Sequence, residues 1–435
     1  MLSAAIRRAS KRHLGIWVLL TLTAPLPTLA QATDQQQKIA DLLQRIEDIE
    51  ARDGPNSEEL IDPLTTLGRL QQEGGQPLQS AAAVQRAVDI VHVNQGLHSL
   101  DQAPLIRLLI GDAEAIGDRR AAWDLEQDLL SLASRHPDDV RTARILRETA
   151  DRRIALLDRY IAREEVTPEI KFGCYYREFS GPDPDGVDCG AGRSDVAQTN
   201  LFREAQSLYS RAIGILLRNE QYPADDAETL VEDLARKTYR YCPRRGADPQ
   251  AAIAKSGQIA KAHETVILQC NRTPTRRALF SLAQWQAENA QAWPSTVETL
   301  VETADWDLFY ANSVIADENA LAEYTRLYEL LAERGAEESI ERIFSPDIPA
   351  ILPAFAPTPL GPAREQHGGG YIDVSFEIDK YGNSHHVRVV GSTTDATRAV
   401  EKRVVQFLSV SRFRPRVVDG QFADSAPVVA RYFLE

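Results

Sequence analysis

The sequence has fewer basic than acidic side chains, 49 lysines and arginines against 63 aspartates and glutamates, so its formal net charge is −14. Such a chain exerts no long-range attraction on a phosphate backbone, and we therefore expect no nucleic-acid partner. The hydrophobic content of 43% and the charged content of 26% are those of an ordinary globular protein rather than a disordered one. Because 435 residues exceed the size of one compact core, we expect two or three domains.

Long apolar runs are also lacking near the start of the chain, where residues 14–22 span about half of the roughly 20 residues that a membrane-spanning helix needs. Four basic residues precede this run at positions 7–12, and the small residue Ala30 follows it. This order is typical of a secretory signal peptide. We predict a signal peptide at residues 1–30 and an exported chain. The alternative is an uncleaved membrane anchor, and only then would the membrane be a partner.

Cysteines are few, and no Cys-x-x-Cys pair is present, which makes a zinc site a poor fit to the spacings. The four are Cys174, Cys189, Cys242 and Cys270. An even count in an oxidising compartment suggests two disulfides with three possible pairings. We favour Cys174–Cys189 and Cys242–Cys270, since the turn-rich residues 180–186 lie between the first two cysteines. A bridge that closes a loop of about 15 residues would add roughly 3 kcal/mol to the stability.

Catalytic motifs are scarce as well. His367 and the three glycines after it resemble an oxyanion loop of esterases, but the matching Gly-x-Ser-x-Gly sequence is absent. His385 and His386 are neighbours on a predicted strand and would face opposite sides, so they are poorly placed to share a metal ion. The acidic loop at residues 183–188 lacks the distal glutamate of a calcium-binding EF-hand loop. We therefore expect a non-enzymatic protein without a cofactor or a metal site.

From residue 34 to about residue 343 the pattern is helical, because apolar residues recur at spacings of three and four and β-branched runs are scarce. Two predicted helix pairs come first, with glycines at their breaks. Their segments are 64–70 with 83–91, and 105–115 with 121–133, and the later helical segments are 205–217, 227–241, 277–292 and 320–333.

The first pair places small residues where two helices would cross, namely Gly68, Ser80 and Ala87, with Val84 between them. This spacing resembles that of tetratricopeptide-type repeats, although the later segments match less well. The resemblance implies that residues 31–345 form helical hairpins with a protein-binding groove. An irregular α-helical bundle is the alternative.

The composition changes at residues 346–369, where prolines are dense and a run of glycines follows. Prolines at this density stop helices and favour an extended, semi-rigid chain. We predict a linker between two domains here.

In the last segment, residues 370–435, apolar residues recur at every second position. Ile372, Val374, Phe376 and Ile378 alternate with polar residues and predict a strand with one buried face. A turn at 379–383, a second strand at 386–390, a helix at 396–408 and a last strand at 427–434 follow. Thr394 is the expected N-cap of the helix. The fold class predicted for the whole chain is therefore multidomain, with an α-helical, repeat-like region before a small α+β domain of order β-β-α-β.

Several local sequences in this segment resemble those of the TonB C-terminal domain family. They are Val374-Ser375-Phe376-Glu377-Ile378-Asp379 with Tyr381-Gly382, then Val387-Arg388-Val389-Val390, Arg412-Phe413-Arg414-Pro415, Gly420 and Tyr432-Phe433. The likeness covers residues 365–435, about a sixth of the chain, and implies a periplasmic domain that binds a protein, such as an outer-membrane receptor or another envelope protein.

In that family the last strand lies at the edge of the sheet and pairs with an extended segment of the partner, a mode called β-augmentation. The resemblance places this edge at Val428, Val429, Ala430, Arg431, Tyr432 and Phe433. Alternatively, the linker or a second copy of the domain covers this edge strand.

The chain departs from the family at its start, since a predicted cleaved signal stands where an energy transducer has a permanent membrane helix. We therefore predict an exported interaction protein. A membrane-anchored TonB-type energy transducer for outer-membrane transport, with an uncleaved N-terminal segment, is the second hypothesis.

Overall fold

The computed structural model describes residues 29–162, 194–219, 224–242, 271–288, 293–354, 370–393, 396–418 and 420–433. The described chain is mostly helical, with a small region of β-sheet at its C-terminal end. This confirms the coarse fold class predicted from the sequence. The chain divides into two compact units between Asn94 and Gln95.

The helices of the first unit are α1 (Leu29–Asp53), α2 (Ile61–Glu73) and α3 (Pro77–Gln95). Gly68 allows α2 and α3 to approach closely, because a Cβ atom at this position would lie 2.4 Å from Cγ2 of Val84. Ser80, Val84 and Ala87 are fully buried on the facing side of α3. The close helix crossing that the small residues predicted is therefore present in this hairpin.

The second unit begins with nine α-helices in its described part: α4 (Ala103–Ala115), α5 (Arg119–Ser134), α6 (Val140–Ile161), α7 (Ser194–Arg218), α8 (Ala224–Tyr241), α9 (Thr273–Glu288), α10 (Trp293–Tyr310), α11 (Val314–Glu333) and α12 (Glu337–Phe344). The helices from α6 onward share a core that contains Trp306, Phe309, Tyr324 and Phe344, all of them almost completely buried. Helices α4 and α5 form a separate cluster with Ile145 of α6. The segment predicted as one helix over 277–292 ends at Glu288, and a new helix starts at Trp293.

Helix ends in this unit follow local sequence signals. Gly117 adopts a φ of +79°, which suits a residue without a side chain after the end of α4. Asp118 then caps α5 by accepting a hydrogen bond from the Ala121 amide at 2.9 Å. Ser313 caps α11 in the same way through the amide of Ala316.

The C-terminal region contains helix α13 (Arg398–Val410) and the strands β1 (Ile351–Leu352), β2 (Tyr371–Ile378), β3 (Ser384–Ser392), β4 (Arg412–Phe413), β5 (Arg416–Val418), β6 (Gln421–Ala423) and β7 (Val428–Phe433). Three antiparallel strands form the main sheet in the order β3-β2-β7, and two small ribbons pair β1 with β4 and β5 with β6. The alternating residues of β2 pack against Val404, Phe407 and Leu408 of α13, as their spacing predicted.

The N-cap of α13 differs from the prediction. Thr397, not Thr394, accepts the capping hydrogen bond, from the amide of Val400 at 3.4 Å. Ala396, predicted within the helix, precedes it and packs against the edge of the sheet core. Thr394 lies outside the described residues.

The linker predicted at residues 346–369 is folded in its first part. Ile351 and Leu352 pair with β4, and Leu352 is buried in the helical core. From the β5–β6 hairpin, Val417 is buried in that same core. Leu352 and Val417 therefore join the C-terminal region to the core of the helices from α6 onward, whereas the main sheet and α13 have a core of their own. The first part of the predicted linker is thus packed against the helices and is not a free spacer. Residues 355–369 of the predicted linker lie outside the described part.

Two arginines, one in β4 and one directly after it, reach the helices through ion pairs. Arg412, 2% exposed, binds the carboxylate of Asp317 and donates to the Tyr381 carbonyl at 3.0 and 3.1 Å. Arg414 binds Asp305, whose side chain is 2% exposed. Burial alone would disfavour the charge on Arg414, but Asp305 more than offsets this and raises the pKa of Arg414. These pairs fix the segment after α13 against α10 and α11.

Candidate functional site

Strand β7 lies at one edge of the main sheet, where the sequence placed the candidate edge strand. It pairs only with β2 among the described strands. The pairing is regular over six residues, from Phe376 opposite Val428 to Tyr371 opposite Phe433, with no shift in register. Within the described part of the chain, the outer side of β7 therefore carries main-chain groups that no strand pairs.

Hydrogen bonds at the two ends of β2 show which residues of β7 face outward. The Tyr371 carbonyl accepts from the Thr393 amide, and the Tyr371 amide donates to Oγ1 of Thr393, both on the β3 side. The Ile378 carbonyl accepts from the Ser425 amide, and the Ile378 amide donates to Oγ of Ser425, both on the β7 side. Since the direction of these groups alternates along a strand, the even-numbered residues of β2 face β7.

The even-numbered residues of β2 stand opposite Val428, Ala430 and Tyr432, so these three residues form the main-chain hydrogen bonds to β2. The N–H and C=O groups of Val429, Arg431 and Phe433 point away from the sheet. An added strand would therefore bond to these three residues, and its own residues would alternate between the two faces of the sheet.

The side chains of β7 also alternate. Ala430 and Tyr432 are buried on the side of α13, and burial raises the pKa of the Tyr432 hydroxyl. On the opposite face Val429 is 59% exposed, a large value for an apolar side chain in a strand. The edge strand thus presents an apolar side chain to solvent beside main-chain groups that no described strand pairs.

Arg431 is held in place on this outer face. Its Nε and Nη2 donate to the two carboxylate oxygens of Asp373 at 2.7 and 2.8 Å, and its guanidinium lies 3.8 Å from the ring centre of Tyr371. The pKa of Asp373 is lowered, mainly by the hydrogen bonds from Arg431. This cross-strand contact ties β7 to β2 from the outside and keeps the edge strand flat against its neighbour.

The other edge of the sheet is less regular. Strand β3 shifts register against β2 at two points, between Asp373 and Val374 and between Ser375 and Glu377. His386 within it has a φ of +54°, unusual for a residue with a side chain. Bulges of this kind disrupt the ladder and protect an edge from further pairing. Of the two edges, β7 is therefore the better template for an added strand.

The two histidines singled out in the sequence are both bound to acids. His385 lies 3.1 Å from Asp379, and His386 lies 2.9 Å from Glu377. Burial acts to raise the pKa of Asp379, but hydrogen bonds from Asn383, His385 and the Tyr381 amide outweigh it and lower that pKa. Asp379 thereby holds the β2–β3 turn together. No group of three potential metal ligands is present among the described residues.

Of the predicted disulfide residues, only Cys242 lies in the described part. It is completely buried and disulfide-bonded. Cys174, Cys189 and Cys270 lie outside the described residues, as does the acidic loop at 183–188, so the proposed pairing stays a prediction.

Sequence reasoning missed the roles of Arg412 and Arg414. Both belong to the Arg-Phe-x-Pro sequence that carries part of the family resemblance, yet their partners Asp317 and Asp305 lie in the helical region. Nothing in the spacing of the chain connects these residues. Only the density of arginines next to a buried strand could have suggested that an acidic partner was needed.

No protein-family model matches this chain, and the search of curated proteins finds no match either. Among the described helices, none is both long and apolar enough to cross a membrane.

Proposed function

We propose that this chain is an exported, non-enzymatic protein-interaction protein whose C-terminal sheet binds an extended segment of a partner protein along β7. The proposal rests on how this strand is paired and which of its groups are exposed. β7 is regular over six residues, pairs only with β2 among the described strands and exposes Val429 beside the outward main-chain groups. Main-chain bonds would supply the affinity, and the exposed side chains would select the sequence.

The order of elements supports a domain like that of the TonB C-terminal family. Strands β2 and β3, helix α13 and strand β7 follow each other as the resemblance predicts, and β7 is at an edge. The partner that this likeness suggests is an outer-membrane receptor or another envelope protein, met in the periplasm.

The helical region is proposed to act as a scaffold of tetratricopeptide-like hairpins. The crossing of α2 and α3 at Gly68 supports the likeness in the first unit. In the second unit, the ion pairs of Arg412 and Arg414 attach the sheet to α10 and α11, so that β7 projects from a fixed base rather than from a flexible tether.

The competing function, a membrane-anchored energy transducer, depends on residues 1–28, which lie outside the described part. N-terminal sequencing of the protein recovered from cells distinguishes the two. A mature chain that starts near Gln31 supports the exported interaction protein. An intact N-terminal segment in the membrane fraction supports the transducer.

A photo-crosslinking amino acid in place of Arg431 tests the edge strand in cells. Two second-site variants are compared, Val429→Pro and Val429→Thr. Proline removes the outward N–H of residue 429 without removing a bond to β2, and edge positions of this kind tolerate proline. Threonine keeps the N–H and favours a strand.

We expect a crosslink to one partner protein in the parent and in Val429→Thr, and its loss in Val429→Pro. A crosslink that persists in Val429→Pro would contradict pairing along β7. A crosslink from residue 431 to residues 355–369 of the same chain, or to a second copy, would mean that the edge is already covered.

A further inference from the structure

A cleft rich in arginine lies in the second unit, where the end of α4, the first half of α5 and the second half of α6 meet. Its volume is about 450 Å³, within the range of roughly 300–1,000 Å³ that is usual for small-molecule sites. We call it the arginine cleft. Its charged lining consists of Glu114, Arg119, Glu126, Arg152, Arg153 and Arg159.

Arg153 forms the innermost part of this lining. Its side chain is 2% exposed, and it is paired with Glu126, itself 6% exposed. Its guanidinium also stacks at 4.0 Å over the ring of Trp123 and lies 3.4 Å from a carboxylate oxygen of Glu204. Packing on three sides therefore fixes the position of this charge.

The pairing of Arg153 leaves hydrogen-bonding capacity unused. Its buried Nη2 has no hydrogen-bond acceptor among the described residues. A buried donor without an acceptor is destabilising. The Arg153 guanidinium therefore lies in the wall of the cleft with one N–H donor that no described residue satisfies.

The outer part of the cleft carries three further guanidinium groups. Arg152 is paired with Glu114, and both side chains are well exposed at 38% and 54%, so this pair is weak and can be exchanged for another anion. Arg152 also lies 3.6 Å from a carboxylate oxygen of the buried Glu126. Arg119 and Arg159 complete the charged lining. Four arginines and two glutamates thus line a single cleft in a chain whose net charge is −14.

The chemistry of the cleft suits one class of ligand. Arginine presents planar N–H pairs that match the oxygens of a carboxylate or a phosphate. The remaining wall includes Ala122, Ala155 and Leu156, which are small or apolar, and leaves room for an uncharged part of a ligand.

We propose that the arginine cleft binds a small molecule through an oxyanion group, either a carboxylate or a phosphate. Arg119, Arg152 and Arg159 would meet the oxygens directly, and Arg153 would supply the fixed charge behind them. This site is independent of β7, and neither proposal needs the other.

Isothermal titration of the full chain at low salt with citrate, and separately with inorganic phosphate, tests the site. The test variant carries Arg119→Gln and Arg159→Gln, which change exposed or half-buried positions and leave the buried pair of Arg153 intact. The matched control carries Arg326→Gln and Arg342→Gln, whose side chains are 71% and 61% exposed elsewhere in the same unit. Both variants lose the same net charge.

We expect saturable one-site binding of at least one of the two anions, with Kd below about 1 mM. The test variant should weaken this binding at least about tenfold, which is the loss of one charge-assisted hydrogen bond, and the control should not. Tighter binding of citrate would assign the site to carboxylates, and tighter binding of phosphate would assign it to phosphates. The absence of saturable binding with both anions, or equal weakening in both variants, would overturn the proposal.

Discussion

Arg414 and Asp305 form a two-point ion pair across 109 residues of sequence, with Nε and Nη2 of the arginine at 2.9 and 2.6 Å from the two carboxylate oxygens. Tyr324 donates a third hydrogen bond to the same carboxylate at 2.6 Å. Burial and the nearby carboxylate raise the pKa of the Tyr324 hydroxyl, so that it remains a donor. The pair joins the C-terminal sheet region to the helices α10 and α11.

Removal of the arginine should be costly because the Asp305 carboxylate would be left buried without its ion-pair partner. We expect Arg414→Met to lower the free energy of unfolding by about 3–5 kcal/mol. Arg416→Met, at an exposed position in the neighbouring strand, should change it by less than about 0.5 kcal/mol. Urea unfolding measures both, and similar small losses in the two variants would contradict a structural role for the pair.

A comparison of Gly382 with Gly420 distinguishes the cost of a close packing contact from the cost of a left-handed backbone conformation. Their φ angles are +79° and +77°, but a Cβ atom at Gly382 would lie 2.1 Å from the Phe413 carbonyl oxygen, whereas one at Gly420 would have 3.7 Å to Tyr328. Both changes to alanine should cost about 1–2 kcal/mol for the left-handed conformation. Gly382→Ala should cost clearly more, since β4 must move. Equal losses in urea unfolding would contradict this packing.

Glu302 on α10 should make stability depend on pH. Burial raises its pKa to about 7, and the charges of Asp305, Glu232 and Glu298 add to the shift, which Arg236 opposes. Between about pH 4.5 and 7 the folded chain keeps a proton that the unfolded chain has released, so stability falls as the pH rises through this window.

The variant Glu302→Gln isolates this effect. We expect its free energy of unfolding to fall less than that of the parent between about pH 5 and 7.5, because the amide does not titrate. Urea unfolding of both proteins at the two pH values gives the difference. A decline as steep in the variant as in the parent would show that Glu302 is not the responsible group.

The cysteines should all be oxidised in the exported protein. Labelling of the unfolded, unreduced chain should find no free thiol, and peptide mapping should find Cys174 linked to Cys189 and Cys242 linked to Cys270. Reduction should then lower the free energy of unfolding by about 2–5 kcal/mol. Four labelled thiols, or a different pairing in the peptide map, would end this proposal.

The elements that the sequence predicted well are those with a repeated pattern. Ile372, Val374, Phe376 and Ile378 alternate over a whole strand, and all four are buried as expected. The glycine at the break between the predicted segments 105–115 and 121–133 correctly marked the end of α4. In these places the local pattern and the tertiary packing require the same residues.

The elements that the sequence missed are short or depend on distant partners. Strands β1, β5 and β6 have two or three residues each, too few for a period to be seen. Dense prolines suggested an open linker where Leu352 is in fact buried. The ion pairs of Arg412 and Arg414 span 95 and 109 residues, and no local rule pairs residues at such distances. Likewise, the sequence alone does not show that the main-chain groups of Val429 face away from the sheet, because this depends on the pairing register of β7 with β2.

Amide hydrogen exchange at β7 tests the central claim most directly. In the free protein the amides of Val429 and Arg431, which face away from β2, should exchange quickly, whereas those of Ala430 and Tyr432 should be protected. Addition of the crosslinked segment of the partner, as a peptide, should slow exchange at Val429 and Arg431 and leave the other two unchanged. If Val429 and Arg431 are already protected in the free protein, or if their exchange is unaffected by the bound segment, β7 does not serve as the partner-binding edge.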